Sequence, residues 1–326
     1  MPRVLYLLRS ENRAGSAYKY LEMFQRVLPG QIVAGEETAL NHALRQGCDV
    51  AVVRGDMSTH FDLCRRQKTP YLLIEQDVAT MRGARCPAER SMIEGALGVL
   101  FNSRGTRDYC VDRYRIRHHE VVPLRPLAEQ LDFEPRTKLE GRTMVYAGGL
   151  VSWRHRRQPW GYRAYHDIFA RIMAHGWEMH VYPGRDTRQT IIDEYTELGC
   201  TVHDSVPEAV LPRELSRYSA GLQAYNLTDV PGPTARYVAA CAPNKTYLYL
   251  AAGIPTVGFS PGGAGEVYDG RWGVVVENLQ DLETIELSPV RAADRRAEVM
   301  DHDLPAFERL AAIVGDTERT VVSRAQ

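Results

Sequence analysis

Short apolar runs alternate along this chain with segments whose apolar residues recur every three or four positions, the pattern of parallel α/β sheets. In the first part the runs predict strands over 4–8, 31–34, 49–54, 70–75, 98–102 and 120–123. Helices are predicted between them over 15–28, 36–46, 58–68, 88–96 and 104–115. Residues 126–142 are polar, hold Pro126 and Pro135 and lack periodicity, which marks a linker. A second series then predicts strands over 143–147, 178–182, 200–203, 220–225, 254–259 and 273–276, and helices over 160–175, 187–198, 208–218, 244–252 and 263–268. The charged segment 291–314 carries apolar residues at Val299, Leu304, Phe307, Leu310, Ala311 and Val314. That spacing predicts an amphipathic closing helix, broken at Pro305.

The expected organisation is two doubly wound α/β domains around a cleft: 1–125, a linker over 126–142, 143–290, and a closing segment over 291–326. A length of 326 residues fits two cores rather than one. Hydrophobic residues make up 44% and charged residues 25%, as in ordinary soluble domains, and the net charge of −1 excludes a wholesale nucleic-acid coat. The charge is uneven. Residues 1–130 hold 19 Lys and Arg against 15 Asp and Glu, and the remainder 21 against 26, so the halves carry +4 and −5.

Cysteines at 48, 64, 86, 110, 200 and 241 form no C-x-x-C pair, which argues against a zinc knuckle or a dithiol redox site. Strand residues begin at Arg3, so no signal peptide is expected, and no run approaches a membrane span in length. A cytoplasmic protein is the expectation.

The most telling stretch runs from Pro243 to Val257. It reads as a capped helix start, buried turns, a stop at Gly253 and then a strand. Its small Ala251-Ala252-Gly253 end suits close packing on a sheet. Asn244, Lys245 and Thr246 at its start offer free backbone N–H groups, a cation and a hydroxyl to an anion such as a diphosphate. A lysine in a first helical turn opposes the helix dipole unless an anion intervenes, which tilts Lys245 toward a phosphate ligand over an idle surface charge.

This stretch resembles the P-x-K-x-x-x-Y-L-A-A-G-x-P-V-V segment in the nucleotide-binding domain of GT-B-fold glycosyltransferases, the large family-4-like group above all. Val145 to Leu150 is similar to that domain's first strand and glycine loop, and His180 to Gly184 to its second strand with a terminal glycine. Leu100 to Ser103 matches a short strand end of the first domain. The resemblance covers residues 143–278 best and implies two Rossmann-like domains facing a cleft, with sugar transfer from a nucleotide-diphosphate donor and no metal or other cofactor. Retaining members often carry two glutamates eight positions apart around this helix. Ala240 and Leu248 stand there instead, which leaves ribose recognition and stereochemistry unassigned.

Further candidates follow. The glycines Gly148 and Gly149, with Arg154 or Arg157 of the basic run after them, could meet a leaving diphosphate; a solvated basic loop is the plainer alternative. Gly184, Asn226 and the Gly262-Gly263 turn complete the expected donor site, although that turn serves equally well as a strand–helix connection. The loop after the first strand, with Glu11, Asn12, Gly15 and Ser16, is the candidate acceptor element; Ser16 alternatively caps the helix. Asp77, at the end of the apolar run 70–74, is the candidate catalytic base, with Glu11 and Asp56 behind it, and capping is its plainer role. His60, His118 and His119 have no spacing that selects one of them. Asp301-His302-Asp303 reads as a solvated helix start, so no metal site is expected.

Expected partners are the nucleotide sugar and an acceptor sugar, lipid-linked sugar or modified DNA. The arginines crowding residues 82–117 suit an anionic acceptor such as hydroxymethylated DNA, or pair on a helix surface. A non-catalytic nucleotide-binding module and a sugar-nucleotide epimerase of the same fold are the alternatives.

Overall fold

A computed structural model describes residues 2–8 and 16–324. The chain divides into two compact units, Met1–Leu124 with Met300–Gln326, and Arg125–Val299.

In the first unit, β1 (Val4–Leu8), β2 (Gln31–Ala34), β3 (Val50–Arg54), β4 (Tyr71–Glu75), β5 (Gly98–Phe101) and β6 (His119–Val121) form a parallel sheet in the order β2-β1-β3-β4-β5-β6. Its central strands are apolar up to the charged last residues of β3 and β4, Arg54 and Glu75, because helices cover both faces. The last helix, Leu304–Arg324, completes this core: Phe307 meets Phe24 edge to face at 4.9 Å, and Arg309 holds Glu120 with two bonds of 2.6 and 2.9 Å. Pro305 does not break it. The proline occupies its first turn, where a missing N–H costs nothing, and the break falls before it, in the turn Met300–Asp303 that holds Asp301, His302 and Asp303.

In the second unit, β7 (Thr143–Gly148), β8 (Glu178–Pro183), β9 (Thr201–Val202), β10 (Ala220–Ala224), β11 (Thr256–Phe259) and β12 (Gly273–Val276) are again parallel, in the order β12-β11-β10-β7-β8-β9. From β7 the chain steps outward to β8 and β9, then returns to lay β10 on the other flank. The switch point of the sheet therefore lies between β7 and β10, the place where such sheets open a crevice at the carboxyl ends of their strands.

The opening is visible in the hydrogen bonds. Strands β7 and β10 pair only at Ala220–Met144 and Gly221–Val145. Beyond that the Tyr249 hydroxyl wedges between them, accepting from the Ala147 N–H at 3.1 Å and donating to the Leu222 carbonyl at 3.0 Å. Tyr249 belongs to the helix Asn244–Ala252, which buries residues on two sides: Tyr249 and Ala252 against the sheet, Tyr247 and Leu250 against Tyr268 and Trp272. Gly253 stops this helix at φ 72, with its N–H on the Leu250 carbonyl. One further helix, Gly232–Ala240, begins at the breaker-rich Pro231-Gly232-Pro233.

Candidate diphosphate-binding crevice

The helix Asn244–Ala252 runs back along the sheet, so its first turn reaches the carboxyl ends of β7 and β10. Lys245 spans that gap. Its Nζ donates to the Tyr146 hydroxyl at 3.1 Å and lies 4.3, 5.8 and 5.7 Å from the ring centroids of Tyr146, Tyr165 and Tyr225. Its Cε lies 3.7 Å from the position a Cβ would take on Gly148. Burial pushes the tyrosine hydroxyls up, Tyr146 to about 12 and Tyr165 and Tyr225 well above their usual value, so these rings stay neutral.

Burial, and then the positive charge of Arg163, lower Lys245 to about 7. Arg163 is the second cation of the site. One of its guanidinium nitrogens, Nη1, sits 3.2 Å from where a Cβ on Gly149 would be, and the guanidinium lies 5.2 Å over the Tyr162 ring. Among the described residues neither cation has a carboxylate partner. Two half-buried like charges, side by side and without a counter-ion, are costly unless an anion joins them.

The two glycines at the end of β7 keep this space open. The Gly184 N–H donates to the Gly148 carbonyl at 3.2 Å, which binds the ends of β7 and β8 together. Gly148, at φ 148, has a backbone that only glycine adopts readily, and a side chain on Gly149 would press on Arg163. Gly148, Gly149, Gly184 and Lys245 are thus brought together at one crevice. Asn244 opens the helix and is exposed, while Thr246 is buried with its hydroxyl unpartnered.

Other sequence candidates are placed differently. Arg154 and Arg157 lie on an exposed loop anchored by Glu194, which accepts from the Ser152 hydroxyl at 2.6 Å and the Trp153 N–H at 3.1 Å. Arg156 and Arg157 face Asp229 at 3.4 and 4.0 Å. The Asn226 side chain is committed internally, its amide donating to the Ala164 carbonyl at 2.9 Å and its oxygen accepting from the Thr228 N–H at 3.2 Å. Gly262 and Gly263 pack on the end of the helix Gly232–Ala240. A Cβ on Gly262 would strike the Val238 carbonyl, and one on Gly263 would lie 2.7 Å from the Ala239 carbonyl. Arg163, Tyr146, Tyr165 and Tyr225 are the residues that sequence reasoning missed.

In the first unit, Glu11, Asn12 and Gly15 fall outside the described residues. Ser16 opens the helix Ser16–Val27, and its side chain falls outside them too. Asp77 is exposed and 2.9 Å from Arg82, and Asp56 is 2.9 Å from Arg54. Among the described residues the fold buries two carboxylates of this unit, Glu89 and Glu75, and Glu75, at 2% exposure, ends β4 packed against Gly55. Burial, then the nearby Glu89, Asp77 and Asp56, push its carboxyl up to about 8. Among the described residues no group of three or more His, Cys, Asp or Glu side chains is arranged to hold a metal ion, and no helix is long and apolar enough to cross a membrane.

No family model and no curated protein matches this chain. Solved structures do. Sucrose-phosphate synthase from Thermosynechococcus elongatus superposes with a TM-score of 0.61 at 12% identity, over 99% of this chain and 100% of the other. Anabaena HepE, in complex with UDP-glucose, gives 0.60 at 12% over 99% and 100%. AviGT4, a glycosyltransferase of avilamycin A biosynthesis, gives 0.57 at 14% over 99% and 98%. At such identities the likeness speaks for architecture, and the chain has the GT-B glycosyltransferase fold of two Rossmann-like domains.

Proposed function

We propose that this protein is a glycosyltransferase that moves a sugar from a nucleotide-diphosphate donor to an acceptor hydroxyl. The observation that carries this reading is the pair of cations without a carboxylate partner, Lys245 and Arg163, at the switch point of the second sheet. In transfer, the acceptor oxygen bonds to the anomeric carbon, and the bond from that carbon to the diphosphate oxygen breaks. The leaving diphosphate keeps the electron pair, so negative charge grows where two fixed cations and the N–H groups of the helix Asn244–Ala252 can meet it. Two cations placed for this role support transfer without a metal ion. The binding of UDP-glucose by HepE, of the same fold, is in keeping with a nucleotide sugar as co-substrate.

The first unit is assigned the acceptor. Four of the eight arginines in its basic stretch are satisfied on its own surface: Arg82 by Asp77 at 2.9 Å, Arg90 by Glu94 at 2.8 Å, Arg107 by Asp108 at 2.5 Å, and Arg113 over the Tyr109 ring at 3.8 Å. Arg85, Arg104, Arg115 and Arg117 are exposed without a side-chain acceptor among the described residues. With half of these arginines neutralised, we read the acceptor as a sugar or lipid-linked sugar rather than DNA. Acceptor binding is then expected to be nearly insensitive to salt, and a steep salt dependence would restore the DNA reading. Asp77 remains the proposed base, reached by release from Arg82.

The test is release or transfer of sugar from a panel of UDP-, GDP-, ADP-, CDP- and TDP-sugars, with wild type and Lys245→Ala. Turnover of one donor by wild type and its loss in the variant supports the assignment. Tight nucleotide binding without turnover under any condition would instead favour a non-catalytic binding module, the reading that the missing glutamates at Ala240 and Leu248 leave open.

A further inference from the structure

Arg163 reaches the crevice on the loop 151–165, which leaves the end of β7 and leads into the helix His166–Ala174. Among the described residues no carboxylate holds its guanidinium, so its place is set by its backbone. That backbone is closed into a ring. The Val151 N–H donates to the Arg163 carbonyl at 3.2 Å, and the Arg156 carbonyl fills the space where a Cβ on Gly161 would stand. Two neighbouring residues of the helix Gln189–Glu197 hold the base of the ring. The Tyr195 hydroxyl accepts from the Tyr165 N–H at 2.9 Å and donates to the Val151 carbonyl at 3.1 Å, with the Arg163 carbonyl 3.4 Å away. The Glu194 carboxylate accepts from the Ser152 hydroxyl at 2.6 Å and from the Trp153 N–H at 3.1 Å, and it lies 3.2 Å from His166 Nε2. Glu194 therefore meets the chain both where the loop begins and where the next helix starts.

We propose that Glu194 is a positioning residue for the diphosphate crevice: it touches no ligand, and it holds the loop closed so that Arg163 stands beside Lys245. This role rests on the donor reading given above. The loop places Arg154, Arg156, Arg157 and Arg163 within one short stretch that has no carboxylate of its own. Like charges so close favour an open loop, and Glu194 supplies the opposing charge from outside it. The path to Arg163 is short. Ser152 and Trp153, which Glu194 holds, adjoin Val151, whose N–H holds the Arg163 carbonyl. Bonds to a carboxylate are the stronger kind, so this anchor is the firm end of that path. Tyr195 is buried and fills the core as well as bonding to the loop, whereas the Glu194 side chain is 28% exposed and serves the loop alone.

The experiment compares the full chain as wild type, Glu194→Ala, Glu194→Gln, Arg163→Ala and the double variant of Glu194→Ala with Arg163→Ala. Calorimetric titration with UDP, GDP, ADP, CDP and TDP reads affinity. Trypsin cleavage after Arg154, Arg156 and Arg157 reads the opening of the loop with no ligand present. Glu194→Ala should speed that cleavage and weaken the nucleotide that wild type binds by about fivefold or more. Placed on Arg163→Ala, the same change should have no further effect on affinity, because residues that act through one another are not additive. Glu194→Gln should restore both readouts, since its amide oxygen can accept from Trp153 while its NH2 donates to the Ser152 hydroxyl. A glutamate that only supported the fold would lower affinity equally with and without Arg163. The role is overturned if Glu194→Ala leaves affinity or cleavage unchanged, if its effect on affinity is the same in both backgrounds, or if Glu194→Gln behaves like Glu194→Ala. Those results leave the donor reading standing wherever Arg163→Ala still weakens the nucleotide. A wild type that binds none of the five nucleotides removes the donor reading, and this role with it.

Discussion

The two units present opposite chemistry at equivalent places. Each is a parallel six-stranded sheet, and each holds a titratable side chain at the carboxyl end of an inner strand, where burial drives it toward neutrality. In the first unit it is an acid: Glu75, against Gly55, raised to about 8. In the second it is a base: Lys245, among three tyrosine rings, lowered to about 7. One architecture thus offers a carboxyl near neutrality on one sheet and an anion-seeking pair of cations on the other. The fold supplies the crevice, and a few residues at the strand ends decide what it holds.

The largest expected effect is on the cationic side. Charge-assisted hydrogen bonds contribute about 1.5–3 kcal/mol each, so Lys245→Ala and Arg163→Ala should each weaken nucleotide-sugar binding by roughly 10- to 100-fold in calorimetric titration. The melting temperature of the free protein should not fall with Lys245→Ala, because the variant removes a buried charge. Unchanged affinity in both variants would take the diphosphate out of this crevice.

A pH series sharpens the comparison next. The folded free protein gives up the Lys245 proton near pH 7, whereas the unfolded chain holds it to about 10.5. This group therefore adds stability as pH rises from about 7 to 10.5. A bound diphosphate restores the ammonium, so binding takes up a proton above pH 7. Affinity for a nucleotide sugar, which has no ionisation of its own near neutrality, should fall by up to about tenfold per pH unit there. Lys245→Ala should flatten that slope.

The acid of the first unit runs in the opposite sense. Folding lets Glu75 keep a proton that the unfolded chain loses near 4.5, so its contribution is full below that pH and declines as pH rises toward 8. Glu75→Gln should melt close to wild type at pH 5 and higher than wild type at pH 9. Identical melting at both values would mean that Glu75 is not held in its neutral form.

A smaller effect belongs to the stacked pair His180 and His203, joined at 3.1 Å and 12° apart in plane. Burial lowers both, so the unfolded chain takes up protons first as pH falls below 6.5, and stability declines there. His203→Gln should relieve part of the loss of melting temperature between pH 7 and 5.

Much of the fold was legible in the chain. The runs marked all twelve strands among the described residues, most plainly the inner ones, since strands buried on both faces need continuous apolar sequence. Lys245 was legible for a local reason: a lysine in a first helical turn has no favourable intrahelical role. Arg163 was not. It comes from a short turn, Gly161–Arg163, lying inside what reads as one helix over 160–175, and only the return of that turn to Gly149 brings it beside Lys245. The arginine run 154–157 drew notice by its density, yet density reflects exposure. The helix Gly232–Ala240 escaped because two prolines and a glycine signal a loop, although Pro231 precedes the helix and Pro233 sits in its first turn, where prolines are tolerated. Asp77 stood out over Glu75 because nothing in the sequence says that Gly55 leaves room for a buried carboxyl.

The most direct test of the cationic crevice is a thermal-shift titration of UDP, GDP, ADP, CDP and TDP against wild type and Lys245→Ala at pH 7. The account predicts that one nucleotide stabilises wild type, by about 2.7 kcal/mol at a hundredfold excess over its Kd, and leaves the variant nearly unshifted. No shift in wild type with any nucleotide, or equal shifts in both proteins, would contradict it.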